Sequence, residues 1–272
     1  MRPHHFFSIQ TPIFICFMVL GVSCTRAQQE AATLELRNLD ISQWDAKDRL
    51  DGIATNAAHA ARNRQKNRSW RELPPADSIQ HYTFDDFVQT TRRLDSIVGI
   101  PAGKYPKLAE AQEQALKSFE GQIVSVTGWM VLTYPAGAES TNNYSTTYRD
   151  WHIEIAPRPL DHYPRTGDPT AIVCEITPRT EAALYRSGVR LRQLAAFMRL
   201  GEPPNMKEFP TGSKPHQVRI TGYLFRDNSH ADEGEDIGVS IVRGGNGSYH
   251  HPWRATAWEV HPVLKIEDLG IE

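Results

Sequence analysis

A chain of 272 residues, 40% apolar and 23% charged, can bury a hydrophobic core and is not intrinsically disordered. The formal charge is -2 at pH 7, and the two signs are interspersed except for a basic run at residues 62–71. Bulk electrostatics therefore draw the chain neither to nucleic acid nor to an anionic membrane.

The first residues, Met1-Arg-Pro-His-His-Phe-Phe, and the apolar run from Ile13 to Val22 have the layout of a secretory signal, with a hydrophobic stretch too short for a comfortable membrane span. Residues 1–27 are read as that signal, and export as its consequence. Two cleavage readings stand. In the preferred one, Cys24 of Leu20-Gly-Val-Ser-Cys24 becomes a lipidated first residue, giving a membrane-anchored lipoprotein; Ser23 favours this, although Leu20 sits one place too early. In the other, cleavage after Ala27 releases a periplasmic or secreted protein. Cys16 is lost with the signal. With Cys24 lipidated, Cys174 stands alone and no disulfide is expected. Cys174 lies between Ile172 and Ile176 on an apolar strand face, which reads as a buried inert thiol rather than a nucleophile.

Residues 28–105 form a polar, partly helical N-terminal region. Leu34, Leu36, Leu39 and Ile41 give weak periodicity, and Ala57-Ala-His-Ala-Ala61 with Arg62 to Arg68 reads as an exposed helix or tether. After the break at Leu73-Pro-Pro-Ala, Thr83-Phe-Asp-Asp86 resembles a capping box. Phe84, Phe87, Val88, Leu94, Ile97 and Val98 then mark one side of a helix that Gly99 closes. A second helix starts near Pro106, carries Leu108, Ala111, Ala115, Leu116 and Phe119 on one face, and ends at Gly121.

From residue 122 the hydrophobic period changes to that of strands. Strands are expected at residues 122–132, 149–156, 171–177, 217–225 and 255–261, the last ending at Pro262 and extendable through residues 263–266. Gly128 and Gly222 sit in similar Thr-Gly-aromatic settings and mark bulges or barrel corners. Residues 179–200 read as helix, with Leu184, Leu191, Leu194, Phe197 and Met198 on one face. Three strands, a helix and two strands is the order of the OB-fold, a five-stranded Greek-key barrel. The fold class expected for residues 106–272 is therefore an all-β core with helices (α+β), an OB-like barrel behind a helical N-terminal region. Long polar connections at residues 135–148 and 228–252 follow its first and fourth strands, where such barrels frame a ligand. A longer mixed sheet from the same elements is the alternative.

Four segments carry a resemblance: Asp-Trp-His-Ile-Glu at 150–154, Cys-Glu-Ile-Thr-Pro-Arg at 174–179, Val-Arg-Ile-Thr-Gly-Tyr-Leu-Phe-Arg-Asp at 218–227 with His230, and Trp-Arg-Ala-Thr-Ala-Trp-Glu-Val-His-Pro at 253–262. In these the chain resembles a set of exported bacterial OB-fold-like proteins ending in a Trp-Glu-(Ile/Val)-His-Pro segment. The likeness covers residues 120–267 and implies the barrel, but no catalytic assignment.

Alternation puts Trp151, Ile153 and Ile155 on one side of a strand and Asp150, His152 and Glu154 on the other. In a barrel of this order Glu175, Glu259 and His261 join that polar side. Residues two apart on a strand lie about 7 Å from each other and neighbouring strands about 4.8 Å, so these groups can converge, looking outward together. His152, Glu154, Glu175 and His261 would suit a divalent metal, Zn or Mn, or metal-assisted hydrolysis. His230, His250 and His251 on the long loop could close over them. With Arg179, Arg219 or Arg254 as partners, the same groups would instead form an ion-pair network. Carboxylates on that face disfavour nucleic acid, and no Ser-His-Asp, phosphate-loop or paired-Cys motif is present. The leading reading is a binding or accessory module of the cell envelope, recognising an envelope protein or a small ligand through Asp150, His152, Glu154, Glu175, His230, Arg254, Glu259 and His261. The rival is a metal-dependent hydrolase of the phosphodiesterase or nuclease kind on that face.

Overall fold

The computed structural model of the chain describes residues 34–101, 108–201, 205–230, 237–242 and 252–271. The signal segment, Cys16, Cys24, His250 and His251 lie outside them. The chain divides into two units, Met1–Leu34 and Glu35–Glu272, and the architecture below belongs to the second. Among the described residues no helix is long and apolar enough to cross a membrane.

Helix α1 spans Ala57–Lys66 and is opened by Asn56, whose side chain accepts a hydrogen bond from the His59 amide. The sequence reading of an exposed helix or tether is corrected here. Arg62 lies 4.1 Å over the Phe225 ring and Lys66 5.6 Å from it, while buried Asn63 donates to the Asp51 carbonyl. Long basic side chains cover apolar surface with their stems and aromatic faces with their charge, so a basic run can dock without apolar periodicity. Strand β1 (Gln80–Thr83) follows, too short for alternation to reveal it. Thr83 then caps α2 (Phe84–Ile97), its hydroxyl accepting from the Asp86 amide at 3.2 Å. Phe87, Val88 and Leu94 are buried as the spacing requires, but Ile97 is exposed. Helix α3 covers Glu110–Leu116.

The remaining strands are β2 (Ile123–Pro135), β3 (Trp151–Ala156), β4 (Ile172–Ile176), β5 (Phe197–Leu200), β6 (Lys207–Pro210), β7 (Gln217–Arg226) and β8 (Trp258–Gly270). Strand β2 pairs antiparallel with both β3 and β7, β3 antiparallel with β4, β4 parallel with β8, and β8 antiparallel with β7. These pairings close a five-stranded mixed barrel. Three further strands extend the sheet: β1 and β5 pair in parallel with β2, and β6 pairs antiparallel with β5.

The helix expected over residues 179–200 is shorter. Helix α4 (Pro178–Arg186) stops before Gly188 at φ +94°, one turn forms α5 (Leu191–Leu194), and Phe197 and Met198 belong to β5. Leu191, Leu194 and Met198 keep helical spacing across a loop and a short strand, which is why the period misleads. Strand β8 does not end at Pro262. Its register with β7 shifts between Gly222, opposite Val263, and Leu224, opposite Val260, so His261 and Pro262 form a bulge. Gly222 faces that bulge, where a Cβ would lie 2.4 Å from the Pro262 carbonyl.

Both faces of β3 and β4 are buried along their whole length. The polar side therefore does not look outward, as alternation alone suggested. Helix α1 and the connection from β2 to β3 cover it.

Candidate functional site

Register builds the site. His152 on β3 stands opposite Glu175 on β4 and opposite Tyr134 on β2, while Cys174 pairs with Val260 on β8, which puts Glu259 and His261 on the same side as Glu175. The contacts follow. His152 Nε2 lies 3.3 Å from Glu175 Oε1, and His261 Nδ1 lies 2.9 Å from Glu175 Oε2 and 3.2 Å from Glu259 Oε1. Arg254, wholly buried, meets Glu259 at 3.2 Å and Asp227 at 3.9 Å, and Lys66 reaches Asp227 at 3.7 Å. Asp150 accepts from Asn142 Nδ2 at 2.9 Å, and His152 Nδ1 meets the Tyr134 hydroxyl at 3.1 Å.

Burial and neighbouring charge set the protonation of these groups. Burial pushes His152 down to about 3, so it meets Glu175 as a neutral imidazole near pH 7. Burial also disfavours a charged His261, but Glu175 and Glu259 outweigh it and lift this group to about 10, making it the imidazolium of the pair. Burial opposes the charge on Glu175, yet the two flanking imidazoles and Lys66 hold it well below the usual carboxylate range. Asp227 behaves alike: burial is overcome by Lys66 and Arg254, and its carboxyl is held low. Glu259 is raised by burial and by the charges of Glu175 and Asp227, and burial carries Asp150 to about 7.

Of the residues singled out from sequence, Asp150, His152, Glu175, Arg254, Glu259 and His261 belong to this connected cluster. Glu154 stands one strand repeat away, where burial raises its carboxyl and Arg199 and Tyr134 oppose the shift. His230 is partly exposed at the rim, 4.0 Å from Asp227 and edge-on to Trp253. Among the arginines proposed as counter-ions, Arg254 joins the network. Arg179 instead donates to Asn67 and the Lys47 carbonyl and covers the Trp44 ring, and Arg219 stands opposite Glu267 in register. Cys174 is fully buried, and burial pushes its thiol well up, as suits an inert side chain.

Sequence reasoning missed Lys66, Asp227, Tyr134 and Asn142. Tyr134 and Asp227 each extend the alternation of a recognised strand by one step. Lys66 and Asn142 carry no local signal.

Asp150, Glu175 and His261 each offer one donor atom within 4.8 Å of the others, as do Glu175, Asp227 and Glu259, so these buried groups could hold a metal ion. Beside the cluster a cleft of about 520 Å³ opens to solvent, lined by Asn56, His59, Lys66, Glu139, Asp227 and Ser229 among others. No family model, curated protein or solved structure matches the chain.

Proposed function

We propose that the protein is an exported binding module of the cell envelope, built on an OB-type barrel, whose ligand is a small polar molecule seated in the cleft beside the buried cluster. The OB reading rests on strand order. Counting only barrel strands, the neighbours run first, second, third, fifth, fourth and back to first, with the third parallel to the fifth and α4 between the third and fourth. The resemblance at residues 150–154, 174–179, 218–227 and 253–262 supports the same fold and the same exported setting, with Cys24 as the membrane anchor where it is lipidated.

One observation carries the functional reading. The imidazoles and carboxylates best suited to chemistry are closed off from solvent, Glu259 at 0% and His261 and Glu175 each at 1% exposure, whereas the adjoining cleft is open. Amide, hydroxyl and charged groups of both signs line it, which suits a ligand bearing several hydrogen-bonding groups rather than an apolar one. An envelope protein would have to insert a polar loop to reach the same groups.

A panel of amino acids, saccharides and muropeptide fragments, screened by thermal shift against the full chain, tests this. A specific binder should raise the melting temperature of the wild type and lose its effect in Ala58→Trp and Ser229→Trp, which fill the cleft. Equal shifts in wild type and both plugged variants would sink the reading.

The rival is a metal-dependent hydrolase using Zn or Mn on the mixed imidazole and carboxylate donors of Asp150, Glu175 and His261. The convergence of these donors favours it, and their burial, which leaves no room for a scissile bond, opposes it. Metal-stimulated turnover of an activated phosphodiester by the wild type, abolished in Glu175→Gln, would restore it.

A further inference from the structure

The buried acidic groups form two overlapping sets with different electrostatic situations. Glu175, Asp227 and Glu259 crowd together, but the chain answers them with its own cations, Arg254 and Lys66. Around Asp150, Glu175 and His261 no lysine or arginine makes an ion pair among the described residues. Asp150 is 1% exposed, and its carboxylate accepts a single hydrogen bond, at Oδ1 from Asn142, while its Oδ2 has none. Glu175 Oε2, though 2.9 Å from His261 Nδ1, lies outside hydrogen-bond geometry, and Nε2 of His261 is also buried without a partner. Three such atoms on three converging side chains are unusual, because each unmet buried group costs stability.

Charge points the same way. Once His261 has given up its proton and Asp150 is ionised, as metal ligands must be, the carboxylates of Asp150, Glu175, Asp227 and Glu259 face two fixed cations, Lys66 and Arg254, and two negative charges are left to be met. One divalent ion would balance them. Two carboxylates and an imidazole are donors that zinc and manganese accept.

We propose that Asp150, Glu175 and His261 form a closed structural site for one divalent cation, tying the connection before β3 to strands β4 and β8. His152 is a positioning residue: its Nε2 stands 3.3 Å from the other Glu175 oxygen, outside hydrogen-bond geometry, while the Tyr134 hydroxyl fixes its ring through Nδ1. The site is independent of any ligand in the cleft, and no substrate needs to reach it.

The test uses the purified full chain, stripped with chelator, dialysed, and titrated with Zn, Mn and, as a control, Mg. Elemental analysis and calorimetry should give one equivalent of Zn or Mn per chain and none of Mg, with a melting temperature raised by several degrees. Asp150→Asn and His261→Gln should each abolish uptake while the far-ultraviolet circular dichroism stays native. Glu267→Gln, on the far part of β8, should bind as the wild type does. Should either ligand variant fail to fold, Co titration of the wild type keeps the question open to a direct answer, because a mixed nitrogen and oxygen site gives visible ligand-field bands. A folded wild-type chain that takes up no stoichiometric Zn or Mn overturns the proposal, as does uptake that persists in both ligand variants. The network would then neutralise itself with a proton on His261.

Discussion

Glu175 and His261 meet at 2.9 Å from adjacent parallel strands. His261 opens the bulge at residues 261–262, which sets the Pro262 carbonyl close against Gly222 on β7. Since the other Glu175 oxygen faces His152, a single carboxylate links β3, β4 and β8.

Arg254 should be the most sensitive member of the network. It is wholly buried against Glu259 and Asp227, so Arg254→Met leaves two carboxylates facing each other without their cation. Removing one partner of a buried pair costs ~3–5 kcal/mol. Urea unfolding should give a loss of that size for Arg254→Met, and the double variant Arg254→Met/Glu259→Met should lose less than the single one. A double variant that loses as much as Arg254→Met would mean that the unpaired Glu259 charge is not the source of the loss.

His152 should destabilise the chelated protein from pH 6.5 downward, while Asp150, lifted to about 7, takes up a proton in the fold over the same range and opposes that loss. His152 is held near 3 in the fold against about 6.5 when unfolded, so below 6.5 the unfolded chain binds a proton that the folded one refuses, and stability falls with pH. Asp227 is held low, so the stability it lends is complete above its unfolded value near 4 and is lost as pH drops below that. The slope from one group cannot exceed ~1.4 kcal/mol per pH unit. Relative to the wild type, His152→Gln should gain stability as pH falls along the limb from 6.5 to 4, and Asp227→Asn along the limb below 4, both read by urea unfolding across the series. Limbs unchanged in both variants would assign the acid sensitivity elsewhere.

Much of this arrangement is legible in the chain. Trp151, Ile153 and Ile155 alternate with Asp150, His152 and Glu154 so cleanly that the facing of β3 is fixed, and the parity of Glu175 and of Glu259 with His261 follows from their own strands. The cover is not legible. Lys66 and Arg62 come from a run without apolar spacing, and only the Phe225 ring on which they rest explains where they go. Phe197 and Met198 failed differently, since a four-residue strand after a single helical turn keeps the spacing of a continuous helix.

Trp44 should anchor the segment ahead of α1. It is buried, stacks on Tyr148 with ring centroids 4.8 Å apart, and carries the Arg179 guanidinium 4.7 Å over its face. Trp44→Ala should cost ~3–5 kcal/mol, as such truncations do when the space cannot collapse. Limited proteolysis should then cut within residues 35–55 before the barrel. A variant as resistant as the wild type would mean that Arg179 and Asn67 hold the segment without the indole.

Gly222 should admit no side chain, for a reason that reaches the cluster. A Cβ there would lie 2.4 Å from the Pro262 carbonyl, 2.7 Å from a Val260 methyl and 3.0 Å from the Val263 Cα. Two of these three are backbone atoms, one in the bulge and one just after it, and cannot rotate aside. Gly222→Ala must therefore push β8 away from β7 at the position that sets His261, at a cost of ~1–3 kcal/mol for a forced backbone shift. Gly128 offers a comparison on the same barrel, where a Cβ would meet Ile155 at 3.1 Å and the Ala156 carbonyl at 3.2 Å, so a shift of a few tenths of an ångström suffices. Urea unfolding should rank Gly222→Ala well below Gly128→Ala in stability. Only the former should move the His261 ring resonances in a heteronuclear spectrum, and equal losses with unmoved His261 signals would show that the bulge does not hold the imidazole in place.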